Sequence, residues 1–369
     1  MWLRDWIDYF EGVALAVSHA ARLPGFVAVV ALSFWETVYC LLHRFVSGES
    51  NSEERINGYI RAWRLQQEQQ GAGGRRVAIV TGANGGIGFE TAKALGRAGF
   101  TTVLACRNVK RGQVALQALQ QETGADTFAV MEMDLASFTS IERFAGEFER
   151  SYGELHVLVC NAGVAFGHYD TTYDGLEAQF GTNYVGHYVL IGRLLDTMKR
   201  SGAARITIAS SVAAGMVRTV DYSRVTDVWR FSRFANYSTS KLALLMLAGA
   251  LERRLRGSGV TVNAFHPGLV ATALYRNVAI SALPGVDALR RWLWLDQAAG
   301  AVTSVYLALA PELDGASGGF YAREQPAAAH PDARCERAQD RLLAFTDALV
   351  AANTHAPSLL SSINPDPAC

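Results

Sequence analysis

The stretch VAIVTGANGGIG, residues 77–88, decides the fold of this chain. Its first four residues are apolar and mostly branched at Cβ, which predicts a buried strand. Gly82, Gly86 and Gly88 follow directly, and a helical pattern begins among them. Glycines let the backbone approach a pyrophosphate, and the N-terminus of a helix offers unpaired N–H groups to it. We therefore predict a strand, a dinucleotide-binding turn and a helix, with an ordinary glycine turn as the alternative.

Short apolar strands and helical patterns alternate on the C-terminal side of this turn. Helices are predicted near 86–98, 109–121, 139–150, 173–199 and 237–256, and strands at VAIV, TVLAC, TFAVMEM, HVLVC, ITIAS and VTVNAF. Because the strands are apolar almost throughout, helices should cover both faces of their sheet. We expect a doubly wound Rossmann fold of the α/β class with a parallel sheet over residues 75–325.

Three further segments complete the predicted organisation. Residues 1–50 contain an amphipathic pattern and a run of 17 mostly apolar residues at 26–42, which is the lower limit for crossing a membrane. This segment is predicted to form apolar helices that span the membrane, lie on it, or pack on the main domain. Residues 51–74 are predicted as a linker. Residues 326–369 are predicted as a tail whose one helix docks on the domain or at a homodimer contact.

The composition excludes two classes of function. Lys plus Arg and Asp plus Glu are both 34, so no basic surface indicates a nucleic-acid partner. The five cysteines are scattered and contain no C-x-x-C pair, which favours free thiols in a reducing compartment and argues against a zinc site. No metal is expected.

The end of the second predicted strand indicates which dinucleotide is used. Arg107 follows Cys106 at this point, with Lys110 and Arg111 close behind. An NAD site usually has a carboxylate here, whereas a guanidinium pairs well with a 2′-phosphate. NADP(H) is therefore the preferred cofactor. A solvated loop charge is the alternative for Arg107, and NAD(H) use stays open.

Seven motifs occur in the same order as in the short-chain dehydrogenase/reductase family, which residues 75–325 therefore resemble. They are TG-x-x-x-G-x-G at 81–88, "MDLAS" around Asp134, "CNAG" at 160–163, "NYVG" from Asn183, "ASSVA" around Ser211, Y-x-x-x-K at Tyr237 and Lys241, and "HPG" at 266–268. The step of 26 residues from Ser211 to Tyr237 is similar to the retinol dehydrogenase-like branch. "DLASFTSIERF", "LLDTMKRSG" and "LAPELDGASGGFY" especially resemble the X-linked dehydrogenase/reductase type of that branch.

The resemblance implies two sets of site residues. The catalytic residues would be Asn183, Ser211, Tyr237 and Lys241. The cofactor-binding residues would be Gly82, Asn84, Gly86, Ile87, Gly88, Arg107, Asp134, Leu135, Asn161, Gly163, Tyr237, Lys241, Pro267, Gly268 and Thr272. It further implies that Asp134 reaches the adenine amine and that Asn161 and Gly163 line the adenine ribose side. Pro267, Gly268 and Thr272 would cover the nicotinamide amide, and turn or cap roles are the alternative for these residues.

Tyr237 and Lys241 lie four residues apart, on one face of their predicted helix. A neighbouring ammonium favours the phenolate, so we expect Lys241 to lower the pKa of Tyr237 and make it the general acid or base. Ser211 would hydrogen-bond the substrate oxygen, with Ser210 as the competing candidate. By resemblance, Asn183 would interrupt its helix and hold a water that links Lys241 to solvent.

Residues 273–295 are rich in Leu, Ile and Trp at the position where the family places a mobile lid. An apolar lid suits a lipophilic alcohol or carbonyl, and retinoids, steroids and polyprenol-type lipids are the substrates of similar proteins; a core role is the alternative. The resemblance also implies an endoplasmic reticulum or lipid droplet membrane. Asn236-Tyr237-Ser238 is a formal glycosylation acceptor, which favours a cytosolic catalytic domain; burial of this site in the folded protein is the alternative protection. A dinucleotide-binding regulatory protein and a sugar-nucleotide epimerase are the alternative functions.

Overall fold

One sheet forms the centre of the molecule. The computed structural model describes residues 52–71, 74–270, 272, 274 and 294–353. Within this part of the chain the eight strands are β1 (Arg76–Thr81), β2 (Phe100–Cys106), β3 (Phe128–Glu132), β4 (Val157–Cys160), β5 (Ala204–Ala209), β6 (Val260–His266), β7 (Phe320–Ala322) and β8 (Gln325–Pro326).

The helices of the described residues connect and cover these strands. They are α1 (Ser52–Gln69), α2 (Gly86–Arg97), α3 (Val109–Thr123), α4 (Phe138–Tyr152), α5 (Ala178–Phe180), α6 (Gly186–Arg200), α7 (Tyr222–Thr226), α8 (Arg233–Leu255), α9 (Gln297–Leu309) and α10 (Glu336–Asn353). Side-chain oxygens of Asn108, Ser137, Ser232 and Asp296 accept backbone N–H groups in the first turns of α3, α4, α8 and α9. These polar caps explain where the four helices begin.

The strand order is β3-β2-β1-β4-β5-β6-β7-β8, and every neighbouring pair is parallel except β7 with β8. Val80 of β1 pairs with Leu104 of β2 on one side and with Val159 of β4 on the other. The chain thus runs outward to β3 and returns to the opposite side of β1. Open α/β sheets bind ligands at the carboxyl ends of the strands where this reversal occurs. The doubly wound parallel sheet predicted from the sequence is confirmed.

Two apolar layers lie on the two faces of the sheet. On one face, buried side chains of α4, α6, α8 and α10 meet the sheet, among them Phe144, Leu194 and Leu242. On the other face, α1, α2, α3 and α9 contribute buried residues that include Leu95 and Val305. Helices on both faces explain why the strands are apolar at successive positions instead of alternating with polar residues.

Helix α1 corrects the linker predicted at 51–74. Ile56, Ile60 and Trp63 are buried on one face of this helix, which packs against α2 and α9. The indole of Trp63 stacks on the ring of Phe100, with 5.3 Å between centroids. Three apolar residues at helical spacing are therefore enough to hold an otherwise polar helix on the domain.

The helix predicted near 173–199 is also corrected. It begins at Ala178 as α5, passes through a π-helical segment at Gly181–Val185 and continues as α6. Single π-helical turns inside α-helices occur frequently at functional sites. The segment contains Asn183, for which the sequence predicts a local interruption of the helix.

Helix α10 docks on the domain, as the sequence predicts for the tail. Leu342 and Leu343 are fully buried against the layer that contains α8. The hydroxyl of Tyr184 lies 2.8 Å from the hydroxyl of Thr346, within hydrogen-bond distance. Tyr188 donates to a carboxylate oxygen of the same helix at 2.5 Å. Two buried tyrosines of the π segment and α6 thus have their polar partners on the tail helix.

Other sequence-based predictions lie outside the described residues. These are the membrane-associating segment at 1–50 and most of the lid, including Trp292 and Leu293. Among the residues that are described, no helix has both the length and the apolar character needed to cross a membrane.

Candidate active site

The turn after β1 has the backbone that an anion-binding turn requires. Gly82 and Gly86 have φ angles of 68° and 63°, which side-chain-bearing residues rarely adopt. A Cβ on Gly88 would lie 2.6 Å from Nδ2 of Asn161 and 2.7 Å from the carbonyl oxygen of Gly82, so only glycine fits there. Gly85 precedes α2 without a side-chain cap, and the first N–H groups of α2 can therefore receive a phosphate.

Thr81 connects this turn to the end of β4. Its hydroxyl oxygen accepts the backbone N–H groups of Asn161 and Ala162, both at 2.9 Å. The Asn161 amide donates in turn to the carbonyl oxygen of Thr81 at 3.0 Å. A Cβ on Gly163 would lie 3.3 Å from Oδ1 of Asn183 and 3.7 Å from Nζ of Lys241. The predicted residues at 161–163 therefore lie between the glycine-rich turn and the predicted catalytic residues.

Three cations mark the carboxyl end of β2. Arg107, Lys110 and Arg111 are all exposed. No carboxylate among the described residues forms an ion pair with any of them. Within the described part of the chain no carboxylate neutralises their positive charge, and this end of β2 can receive an anionic group.

Asp134 and Leu135 follow β3 in a tight turn. Oδ1 of Asp134 accepts the N–H of Ala136 at 3.0 Å, and the N–H of Asp134 donates to Ser140. Leu135 is buried, and its carbonyl oxygen would lie 2.4 Å from a Cβ on Gly186. Asp134 therefore has the turn-stabilising role that was the alternative to adenine binding. This role uses one of its two carboxylate oxygens, Oδ1.

The segment after β6 reaches back to the glycine-rich turn. Pro267 is half-buried, and Gly268 has φ of 82°, a left-handed conformation that favours glycine. A Cβ on Gly268 would lie 2.7 Å from Cδ1 of Leu295. The methyl carbon of Thr272 would lie 3.5 Å from a Cβ on Gly86. This contact brings the residues predicted to cover the nicotinamide next to those predicted to hold the pyrophosphate. Asn84 and Ile87, in the same turn, are half-buried.

Tyr237 and Lys241 lie one turn apart on α8 and are 6% and 5% exposed. Nζ of Lys241 donates to the carbonyl oxygen of Ala209, at the end of β5, at 2.8 Å. It lies 5.8 Å from the ring centroid of Tyr237. Ser211 hydrogen-bonds the phenol. The structure therefore brings these three predicted catalytic residues together at the carboxyl end of β5.

The pKa of Tyr237 differs from the sequence-based expectation. Burial raises the pKa of this phenol to about 12, and the hydrogen bond with Ser211 acts in the opposite direction. Burial also lowers the pKa of Lys241 to about 8. Loss of water is the largest cause of both shifts, and Lys241 directs its ammonium to the backbone carbonyl of Ala209. The expected lowering of the Tyr237 pKa is thus wrong in direction.

The two neighbouring serines have different partners. Ser210 is buried and donates its hydroxyl to the backbone carbonyl of Lys241 at 2.8 Å, which ties β5 to α8. Ser211 caps a short 3-10 helix, accepting the N–H of Ala213 at 3.1 Å, and its hydroxyl can still act on Tyr237. This geometry favours Ser211 over Ser210 for the site.

Asn183 is fully buried in the π-helical segment. Its side chain accepts the N–H of Val164 at 2.7 Å and donates to the carbonyl of the same residue at 2.9 Å. It also donates to the hydroxyl of Ser240 at 3.0 Å, directly beside Lys241 in sequence. The side chain therefore makes three structural hydrogen bonds, and the backbone carbonyl oxygen of Asn183 lies 2.7 Å from Nδ1 of His187.

The surroundings of the Tyr237 ring are apolar. Ala165, Phe166 and Ala213 are buried with it, and Met216, Phe234 and Leu274 pack against them. The ring of Phe166 lies 4.8 Å from that of Tyr237, measured between centroids. The side chains next to the phenol therefore form an apolar surface.

Sequence reasoning missed three residues of the site. Phe166 has φ of 57°, which is unusual for a bulky residue, and its N–H donates to Gln179 at 2.8 Å. The amide of Gln179 donates onward to the carbonyl of Arg233 at 3.1 Å. His187, fully buried, contacts both Thr81 and Asn183. For His187, the only available signal was its spacing of four residues from Asn183.

Comparisons with known proteins agree with this architecture. A sequence profile described as short chain dehydrogenase matches residues 76–281. Retinol dehydrogenase 13 of Mus musculus is 38% identical over 277 residues, which cover 72% of this chain and 81% of that protein. Polyprenol dehydrogenase of Homo sapiens is 38% identical over 256 residues, covering 68% of this chain and 77% of that protein.

A solved structure gives the same result. The crystal structure of an uncharacterised protein from Mycobacterium paratuberculosis superimposes with a TM-score of 0.59 at 30% identity, over 76% of this chain and 95% of that chain. The chain therefore belongs to the short-chain dehydrogenase/reductase family, in its retinol dehydrogenase-like branch. It is an oxidoreductase that acts on a small-molecule alcohol or carbonyl with a nicotinamide dinucleotide, and the two alternative functions are set aside.

Proposed function

We propose that this enzyme interconverts a lipophilic alcohol and its aldehyde or ketone, using NADP(H), with Tyr237 as the acid or base. The observation that carries the substrate class is the apolar cluster around the Tyr237 phenol. Apart from the phenol itself, the side chains packed around Tyr237 in this cluster are apolar, and they offer a contact surface for hydrocarbon and not for a sugar phosphate or an acid. A retinoid, a steroid or a polyprenol-like molecule suits such a surface, and relatives named for retinol and polyprenol support this choice.

The proposed preference for NADP(H) rests on Arg107, Lys110 and Arg111. These cations lie at the end of β2 and form no ion pair with the carboxylates that the structure describes, which suits the 2′-phosphate of the adenine ribose. A carboxylate at this position would instead repel that phosphate. NAD(H) would lack the group that these cations bind.

The described residues fit the dinucleotide. Gly82, Gly86 and Gly88 would hold the pyrophosphate against the N-terminus of α2, where a Cβ at Gly88 would not fit. Asp134 would hold the adenine and Thr272 the nicotinamide end. When bound, the cofactor gives or accepts a hydride at its nicotinamide ring.

Tyr237 would exchange the proton at the substrate oxygen. With its pKa raised to about 12, the phenol is protonated at neutral pH and can donate to a carbonyl oxygen as that oxygen becomes an alkoxide. Ser211 would hydrogen-bond the same oxygen and stabilise its developing charge. Burial lowers the pKa of Lys241 to about 8, close to neutrality, so this ammonium would readily give up and take back a proton near the phenol.

Replacing Tyr237 with phenylalanine tests this mechanism. Loss of the proton donor should lower kcat about 100- to 10,000-fold, which is the range for general acid–base catalysis. NADPH affinity, followed by quenching of protein fluorescence, should change less than about twofold because no predicted pyrophosphate contact is lost. Tyr173, an exposed tyrosine, provides the matched Tyr→Phe control. Wild-type turnover in the Tyr237 variant would refute the assignment.

A series of straight-chain aldehydes tests the substrate class. Each added methylene buried against the cluster contributes about 0.8 kcal/mol, or up to about fourfold in kcat/KM, until the chain leaves the apolar surface. Retinal, a steroid ketone and a polyprenal should then exceed a sugar aldehyde by several orders of magnitude in NADPH absorbance assays. A flat response along the series would contradict a lipophilic site.

We further propose that residues 1–50 seat the enzyme on an endoplasmic reticulum or lipid droplet membrane, with its catalytic domain in the cytosol. Apolar substrates partition into such membranes, which supports this placement. Removing residues 1–50 should move the protein into the soluble fraction after centrifugation of cell membranes. Continued sedimentation of the shortened chain would place the membrane contact elsewhere.

A further inference from the structure

His187 is a buried polar residue to which the proposed mechanism assigns no role. It lies in the first turn of α6 and has no exposed surface. Nδ1 of its ring lies 2.7 Å from the carbonyl oxygen of Asn183, and Nε2 lies 3.0 Å from the hydroxyl oxygen of Thr81. One imidazole thus contacts both the π-helical segment and the residue that starts the glycine-rich turn.

The partners of His187 define its protonation state. A carbonyl oxygen can only accept, so Nδ1 carries the hydrogen and donates to Asn183. The hydroxyl of Thr81 already accepts two N–H groups, from Asn161 and Ala162, and it has its own hydrogen left to donate. Nε2 is therefore the acceptor of that hydrogen. Every polar atom of this cluster has a partner when the ring is neutral and protonated at Nδ1.

Burial supports the same protonation state. Loss of water lowers the pKa of His187 to about 4, although the hydrogen bond to the Asn183 carbonyl acts in the opposite direction. The positive charge of Lys241 lowers it further. At neutral pH the ring is therefore uncharged and keeps one tautomer.

The contacts of His187 continue to the catalytic helix. Asn183, whose carbonyl accepts from the ring, donates through its side chain to the hydroxyl of Ser240 at 3.0 Å. Ser240 precedes Lys241 on α8 and donates to the backbone carbonyl of Tyr237 at 2.7 Å. A continuous path of hydrogen bonds thus runs from the glycine-rich turn, through Thr81, His187 and Asn183, to the helix that carries the phenol.

We infer that His187 is a positioning residue of the reaction: it fixes the distance between the cofactor-binding turn and the catalytic helix by bridging Thr81 and Asn183. This inference rests on the proposed function. Hydride and proton must reach the same carbonyl group, so a small shift between their two sources lowers the rate. A displacement of about 1 Å can reduce turnover about 100-fold.

A purely structural role is the competing explanation. A buried histidine whose only role is to fill space would affect the free energy of unfolding without a selective effect on kcat. The π-helical segment argues against this explanation. Two hydrogen bonds hold Asn183 in it: the Asn183 side chain accepts the N–H of Val164, and the Asn183 backbone carbonyl accepts from the ring of His187. Kinetics and stability therefore have to be measured on the same variants.

A double-mutant cycle in the full-length protein separates the two explanations. His187→Leu removes both contacts of the ring. Thr81→Val keeps the shape of the side chain but removes the hydroxyl that donates to the ring, and with it the acceptor of the Asn161 and Ala162 N–H groups. His187→Asn keeps a donor near the Nδ1 position, within reach of the Asn183 carbonyl, but loses the contact with Thr81. Steady-state kcat, the KM values for NADPH and substrate, and the urea midpoint are measured for each.

We expect His187→Leu to lower kcat about 10- to 100-fold. KM for NADPH should change less than about threefold, and His187→Asn should recover part of kcat. His187→Leu should lower kcat less in the Thr81→Val background than in the wild type, because both changes break the same path. The loss of the acceptor for the Asn161 and Ala162 N–H groups belongs to Thr81→Val in both arms of the cycle. A wild-type kcat in His187→Leu, multiplicative losses in the double variant, or kcat values that simply follow the urea midpoints would each overturn the inference.

A measurement that needs no turnover completes the test. In protein labelled with ¹⁵N-histidine, the wild-type minus His187→Leu difference spectrum should show a neutral, Nδ1-protonated ring above about pH 5. A ring protonated at Nε2, or a charged ring at neutral pH, would overturn the inference. If the wild-type enzyme turns over none of the lipophilic carbonyl compounds, the proposed function fails, whereas the spectrum still decides whether the bridge exists.

Discussion

Replacing Lys241 with methionine would measure the energetic cost of the proposed catalytic cation. The side chain is 5% exposed, and burial lowers the pKa of its ammonium from 10.5 to about 8. The ammonium donates to the carbonyl oxygen of Ala209, and no carboxylate of the described residues forms an ion pair with it. A buried charge with so little compensation destabilises the folded state. Methionine would keep most of the volume without the charge.

The magnitude follows from the shift in pKa. A difference of about 2.5 pH units corresponds to about 3 kcal/mol, at about 1.4 kcal/mol per unit. Below about pH 8 the lysine is charged in both states, so the wild type carries the full cost. Between about pH 8 and about pH 10.5 the unfolded chain binds more protons than the folded one, so the stability of the wild type rises with pH.

The experiment compares urea unfolding of the two proteins at about pH 7 and about pH 10.5, followed by circular dichroism. The variant also leaves the Ala209 carbonyl without its donor, which costs about 1 to 3 kcal/mol at every pH. Other titrating groups are common to both proteins and cancel in the difference. We expect the wild type to gain about 3 kcal/mol relative to the variant across this range. A difference that changes by less than about 1 kcal/mol would refute the argument that Lys241 is desolvated.

Three further predictions concern the cofactor site and the tail. Gly88→Ala should abolish dinucleotide binding in calorimetry, because its Cβ would lie 2.6 Å from the Asn161 amide and 2.7 Å from the Gly82 carbonyl; unchanged affinity would show that the turn can move. Arg107→Asp should shift the ratio of kcat/KM for NADPH over NADH by about 10- to 100-fold toward NADH, and an unchanged ratio would remove Arg107 from phosphate binding. Leu342→Ala should lower the free energy of unfolding by about 2 to 5 kcal/mol in urea titrations, since the side chain is fully buried; a loss below about 1 kcal/mol would contradict the packing of α10.

The sequence was sufficient to predict six of the eight described strands and the glycine-rich turn, whereas the short strands β7 and β8 were not predicted. Each strand from 77 to 265 is a short apolar run, and glycines at 82, 86 and 88 have no other common explanation between a strand and a helix. The resemblance favoured Ser211 over Ser210, but the physical reason became visible only in the structure. There the hydroxyl of Ser210 is hydrogen-bonded to the backbone of α8. The local sequence pattern was therefore reliable for features that neighbouring residues in the chain determine by themselves.

Predictions failed where distant segments determine the environment. Ile56, Ile60 and Trp63 have helical spacing in the sequence, but the apolar surface that receives them belongs to α2 and α9 and is not visible locally. The pKa of Tyr237 was expected to fall because Lys241 is four residues away. Spacing gives the proximity of two groups, whereas their desolvation depends on everything packed around them.

The position of α10 has a consequence for how the protein is made. Residues 336–353 are translated long after α8, yet they cover the layer that contains α8 and supply the hydroxyl and carboxylate partners of Tyr184 and Tyr188. During synthesis on the ribosome, the apolar layer that contains α8 would stay exposed, and the phenols of Tyr184 and Tyr188 would lack these partners, until α10 has been translated. Nascent chains that stall before residue 336 should therefore be held by chaperones, and protease resistance should appear only after α10 has left the exit tunnel.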